Sequence, residues 1–72
     1  MPQDVPIRGG TIRLGQLLKL AGVVDAGGEI KAFLEAERVL VNGEADNRRG
    51  RQLHPGDVVS VGDATLRVTA GG

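Results

Sequence analysis

The chain has no cysteine, tryptophan or tyrosine, and only one phenylalanine, one methionine and one histidine among its 72 residues. Without cysteine there are no disulfides, no thiolate metal ligands and no thiol nucleophile. With His54 as the lone histidine, Ser-His-Asp and Cys-His arrangements and the usual zinc sites cannot be assembled. Aspartates and glutamates are present, yet none lies within an apolar run that would raise its pKa for acid–base work. These absences predict a protein without enzymatic activity and without a metal or other cofactor. No apolar run approaches the roughly 18 residues of a membrane span. The start, Met1-Pro2-Gln3-Asp4, lacks the basic-then-apolar order of a signal peptide. A cytoplasmic location is the expectation.

Net charge is absent too, with nine basic residues balancing nine acidic ones. That excludes a generic polycation, but phosphate responds to a local patch and not to the total. Here the charge is unevenly spread. Arg48, Arg49 and Arg51 fall between Asn47 and His54 with no acid among them, while Glu29, Glu35 and Glu37 crowd an earlier segment. Arginine forks match phosphate oxygens and stack on unpaired bases, and Gly50 would let a ligand approach the backbone. The plainer reading is that the arginines solvate a loop or pair with Glu44 and Asp46. The scarcity of aromatics argues against a base-stacking platform. Neither G-x-G-x-x-G nor G-x-x-x-x-G-K-[ST] occurs among the glycines, so most of them punctuate turns.

The length allows one domain, and a domain this small buries only about 60% of the surface its unfolded chain exposes. Residues 1–12, with Pro2, Pro6 and Gly9-Gly10, read as a loose lead-in to a domain over 13–69, with 70–72 as a flexible tail. Leu14, Leu17, Leu18 and Ala21 recur at i, i+3, i+4 and i+7, which predicts a short helix stopped by Gly22. Ile30, Phe33 and Leu34 mark a second helix from about Gly28 to Glu37 that turns Lys31 and Glu35 outward. Val39–Val41, Val58–Val61 and Thr65–Val68 read as strands, with turns at Asn42-Gly43, Pro55-Gly56-Asp57 and Gly62-Asp63. The expected class is α+β: two short packed helices followed by a small antiparallel sheet.

In that order, Arg13-Leu14-Gly15-Gln16-Leu17-Leu18-Lys19, then Gly27-Gly28-Glu29-Ile30-Lys31, then Val39-Leu40-Val41-Asn42-Gly43-Glu44 resemble one family. It is the RNA-binding domain named after small-subunit ribosomal protein S-four, or alpha-L motif. Pro55-Gly56-Asp57-Val58-Val59 continues the resemblance, which runs from about Arg13 to Val61. The family usually forms an appendage of ribosomal proteins, pseudouridine synthases and tRNA synthetases; this chain looks like its small stand-alone branch. The resemblance implies binding of structured RNA, ribosomal or transfer, or the ribosome itself, mainly through shape and phosphate contacts. Carried over by position, it points to Arg13 and Gln16 on the first helix, and to Gly27, Gly28 and Lys31 at the second. It also points to Asn42, Arg48, Arg49 and Arg51 in the hairpin region. Lys31, Arg48, Arg49 and Arg51 are the stronger candidates, since Asn42 suits a turn first and Arg13 reads equally as a solvated helix residue. Ala26-Gly27 stands where the family often has Ser-Arg, Gly15 where an acid is common, and Glu37 where a glycine is usual.

Two other readings compete. Gly71-Gly72 and the Val-Asn-Gly-Glu hairpin resemble ubiquitin-like sulfur carriers, although two consecutive helices do not fit that fold. A protein-interaction module is the third, and it lacks an aromatic anchor. A monomer is expected, because no long apolar stripe is exposed.

Overall fold

The computed structural model describes residues 2–25 and 29–71. Two helices, α1 (Leu14–Leu20) and α2 (Ile30–Ala36), combine with seven short strands. The strands are β1 (Gln3–Ile7), β2 (Ile12–Arg13), β3 (Val39–Val41), β4 (Glu44–Ala45), β5 (Gln52–Leu53), β6 (Val58–Val61) and β7 (Ala64–Ala70). Five of them form one sheet in the order β1-β7-β6-β3-β4, and β2 pairs with β5 in a separate two-stranded ribbon.

Alternation sets the sheet's buried face. Val39 and Val41, Val59 and Val61, Leu66 and Val68, and Val5 and Ile7 are all buried, while their neighbours along each strand are more exposed. Register then lines them up across the strands: Val39 faces Val61, Val41 faces Val59, Val59 faces Leu66, and Val5 faces Val68. A one-residue slip would turn this whole set to solvent, so the pattern fixes the pairing. Leu14, Leu17 and Leu18 of α1 and Ile30 and Leu34 of α2 complete a single apolar cluster with them. Phe33 is only half-buried at its margin. The core is therefore aliphatic throughout.

Helix α1 ends as its glycine predicts. Gly22 takes φ 78°, and its N–H donates to Lys19 O while that of Val23 donates to Leu18 O. This pair of bonds is a Schellman closure, which satisfies carbonyls the helix leaves free. At the other hairpin, Asn42 and Gly43 both take positive φ, 53° and 85°, the geometry that matches the twist of a two-residue β-turn.

Two expectations are corrected. The first residues are not a loose lead-in, because Gln3–Ile7 forms β1, paired with β7 over five positions from Gln3–Leu66 to Ile7–Ala70. That pairing is parallel, so the sheet is mixed rather than antiparallel, and a strand precedes the helices. Pro6 is tolerated because β1 is an edge strand, where one side of the backbone needs no ladder partner. Ala70 and Gly71 are likewise not part of a flexible tail: β7 extends through Ala70, and Gly71 N donates to Ile7 O at 2.8 Å.

Ile7 is 5% exposed, so Ile7→Ala should lower unfolding free energy by about 2–4 kcal/mol, the cost of truncating a core aliphatic. Urea denaturation measures this; a change near zero would mean that β1 does not belong to the core.

Candidate RNA-binding face

The segment between β4 and β5 is organised by one acid. The side chain of Asp46 is only 7% exposed. Its Oδ1 accepts from the Arg48 N–H at 3.0 Å and from Arg48 Nε at 3.1 Å. Its Oδ2 accepts from Arg48 Nη2 at 2.9 Å and from Arg51 Nη1 at 2.7 Å. Chiefly the Arg48 guanidinium, with the Arg48 backbone N–H and Arg51 behind it, holds this carboxyl well below the usual carboxylate range against the opposing effect of burial. The same pairing raises the Arg48 pKa.

So fixed, the segment docks onto the start of α1. Arg51 O accepts from Leu14 N at 2.8 Å and Arg49 O from Gly15 N at 3.0 Å. These carbonyls take up first-turn N–H groups that a helix start cannot satisfy internally. The approach is close enough that a side chain here would press on its neighbours. A Cβ at Gly15 would stand 3.2 Å from Ile30 Cγ2 and 3.4 Å from both Cβ and O of Arg49. Glycine at position 15 lets α1, Ile30 and the loop meet without that crowding.

The result is a depression of about 330 Å³ lined by Arg13, Gly15, Gln16, Lys19, Ile30, Arg49 and Gly50. Three of these are cations and none is an acid. Arg13, Lys19 and Arg49 have no ion-pair partner among the described residues. Gln16 reaches back to the Arg13 N–H only through a long 3.4 Å contact from Oε1. Arg49 also borders a neighbouring hollow with Lys31, Leu34, Glu35 and Asn47, which brings Lys31 to the same side of the molecule.

The sequence candidates therefore separate into groups. Arg13, Gln16 and Arg49 line one depression, with Lys31 beside Arg49. Arg48 and Arg51 serve chiefly to build the loop through Asp46. Gly27 and Gly28 lie outside the described residues. Asn42 has both ends of its amide engaged: Nδ2 donates to Asp57 Oδ1 at 3.0 Å, and Oδ1 accepts from Val58 N at 2.9 Å. Asp57 Oδ2 accepts from the His54 N–H at 2.7 Å. The Asn42 bond first and the His54 N–H second lower the Asp57 pKa. Lys19, Gly15 and Ile30 are members of the face that motif positions did not single out. Lys19 was detectable as the outward cation at i+3 from Gln16, but Gly15 and Ile30 depend on how three segments meet.

Gly71, which a sulfur carrier would present freely, is instead tied to β1, and a Cβ there would come within 2.6 Å of Ile7 O. Gly72 lies outside the described residues.

The family profile described as the S4 domain matches residues 5–69. The chain is similar to a Bacillus subtilis (strain 168) protein named "Probable ribosome maturation protein RlbA". The two are 52% identical over 61 residues, spanning 85% of this chain and 86% of that protein.

Two outcomes follow from the loop and the turn. The unfolded Asp46 carboxyl titrates near 3.9 and the folded one below it. Its stabilisation is therefore complete above that pH and is lost as pH falls toward the folded value. Asp46→Asn should lower stability at pH 7 by about 1–2 kcal/mol, since the exposed Arg48 arm contributes little. It should also flatten the loss of stability below pH 4, as read from urea unfolding at a series of pH values. Asn42→Ala should cost about 1–3 kcal/mol by stranding Val58 N and Asp57. It should also return the Asp57 titration, followed by NMR, toward its ordinary value.

Proposed function

The chain belongs to the S4 domain family, and from that membership we propose that it binds structured ribosomal RNA, without catalysis, through the face built by α1 and the 46–51 loop. The observation that carries this reading is the set of Arg13, Lys19 and Arg49 around one depression. All three lack ionic partners among the described residues, in a chain whose total charge is zero. Unpaired cations held together are costly to keep unless an anion joins them, and three at one site give phosphate oxygens several simultaneous contacts. Lys31 extends the positive surface past Arg49. The name of the Bacillus subtilis relative supports the ribosome as the setting, and hence the cytoplasm.

In this reading the RNA is held chiefly by its phosphates and by the shape of its backbone. Arg48 and Arg51 contribute less charge than their number suggests, because Asp46 already neutralises part of it. The protein acts as a single copy, since Leu20 is the one large apolar side chain strongly exposed among the described residues.

Fluorescence anisotropy with a ribosomal RNA hairpin and a matched DNA hairpin, at two salt concentrations, tests the proposal. Arg13→Ala/Arg49→Ala should weaken RNA binding by at least roughly tenfold and make it less salt-dependent, because phosphate contacts are lost. Arg67→Ala, on strand β7, where Arg67 pairs with Asp4 and does not line the depression, should bind as wild type does. Absence of RNA binding by the wild-type chain at low salt would refute the proposal.

A further inference from the structure

Within the RNA-binding reading, on which this step rests, we infer that the depression at the start of α1 receives one unpaired nucleobase, so that the RNA bound is a bulged or looped one and not an uninterrupted helix. A site for phosphate alone needs only converging donors. The lining of this depression also includes two buried residues, Gly15 without a side chain and Ile30, which at 8% exposed leaves a small apolar area open between the cations. The cations stand around that surface, supplied by three different segments: Arg13 before α1, Lys19 on α1, and Arg49 in the loop.

That division of chemistry suits a nucleotide more than an ion. A base has apolar faces and a polar edge, and its phosphate lies a short distance outside it. The apolar area takes a face, and an arginine guanidinium can stack on the other, which is how unstacked bases are commonly held. Gln16 supplies the edge contact. Its Nε2 donates to no described residue, and its Oε1 is engaged only by the 3.4 Å contact with the Arg13 N–H. An amide presenting one donor and one acceptor matches the N6 and N7 atoms of adenine. The volume of about 330 Å³ falls at the small end of ligand pockets, roughly 300–1,000 Å³, adequate for one planar ring system and not for a groove-spanning helix. The first two N–H groups of α1, those of Leu14 and Gly15, are already bonded to Arg51 O and Arg49 O. Phosphates are thereby left to the rim.

The hollow that Arg49 shares with Lys31, Leu34 and Asn47 also contains an acid, Glu35, and two others lack the combination altogether. The one formed by Arg48, Gly50, Arg51, Gln52, His54 and Asp57 contains an acid and two arginines already committed to Asp46. The hollow beside Leu20 has one cation, Arg8, and no second one.

The test uses three RNA hairpins of one stem sequence: fully paired, with a single bulged adenosine, and with an abasic nucleotide at the bulge. The last two present the same phosphates, so their difference isolates the base. Anisotropy at low salt should show the adenosine bulge binding roughly tenfold more tightly than the abasic one. Gln16→Ala should bring that ratio toward one. A 2-aminopurine at the bulge should change its fluorescence on binding, which reports where the base goes independently of affinity. Equal affinity for the adenosine and abasic bulges, or tighter binding of the fully paired stem, overturns the inference while RNA binding stands. Failure of all three RNAs to bind at low salt removes the RNA-binding reading itself.

Discussion

The carboxylate of Asp46 lies almost out of solvent between two guanidinium groups, and the positive face of the molecule is assembled around it. Arg48 and Arg51 would repel one another on a free loop. With Asp46 between them they close the segment into a fixed turn, whose carbonyls then reach the start of α1. Arg49 has no share in that ionic cluster, yet its position follows from it, because its backbone is held against Gly15. The division is economical in charge: one acid engages both arginines that shape the loop, offsetting part of their charge, and leaves free the arginine that faces outward. A basic stretch of sequence thus contains two kinds of arginine, distinguished only by which of them the acid reaches.

A second constraint joins places far apart in the chain. Asn42 ends one strand and Asp57 precedes another, and the amide-to-carboxylate bond between them ties the β3–β4 turn to the Pro55-Gly56-Asp57 turn. The two pieces of the family pattern are therefore the two ends of a single contact. The asparagine suits its position twice over, by tolerating positive φ and by offering both a donor and an acceptor. Its presence beside the arginines in sequence says little about RNA, since its amide is spent inside the fold.

Much of the architecture was readable from residue order. Both helices declared themselves through leucine and isoleucine spacing, Gly22 marked a stop, and the valine alternation gave β3 and β6. What escaped were the two-residue strands β2, β4 and β5 and, of more consequence, β1. Val5 and Ile7 offer only two alternating apolar positions, and Pro6 between them argues against an interior strand. Only its distant partner, β7, shows that this is a covered edge. The face was legible in part. Arg13, Gln16 and Arg49 followed from the resemblance, but the commitment of Arg48 and Arg51 to Asp46 depends on side-chain geometry that spacing does not encode. Gly15 could be noted as unusual for its position, whereas its reason, the close meeting of α1, α2 and the loop, exists only in three dimensions.

The parallel union of β1 with β7 also has a consequence for the order of events in time. Contacts between residues some sixty positions apart carry the highest loop-closure cost in the chain and form slowly. During synthesis the first strand leaves the ribosome long before its partner is made, so its edge must wait with Val5 and Ile7 uncovered. The helices and the β3–β6 ladder can form from shorter-range contacts in that interval. Final closure of the sheet is then delayed until β7 has emerged, so that β1, made well before its partner, reaches its native place late.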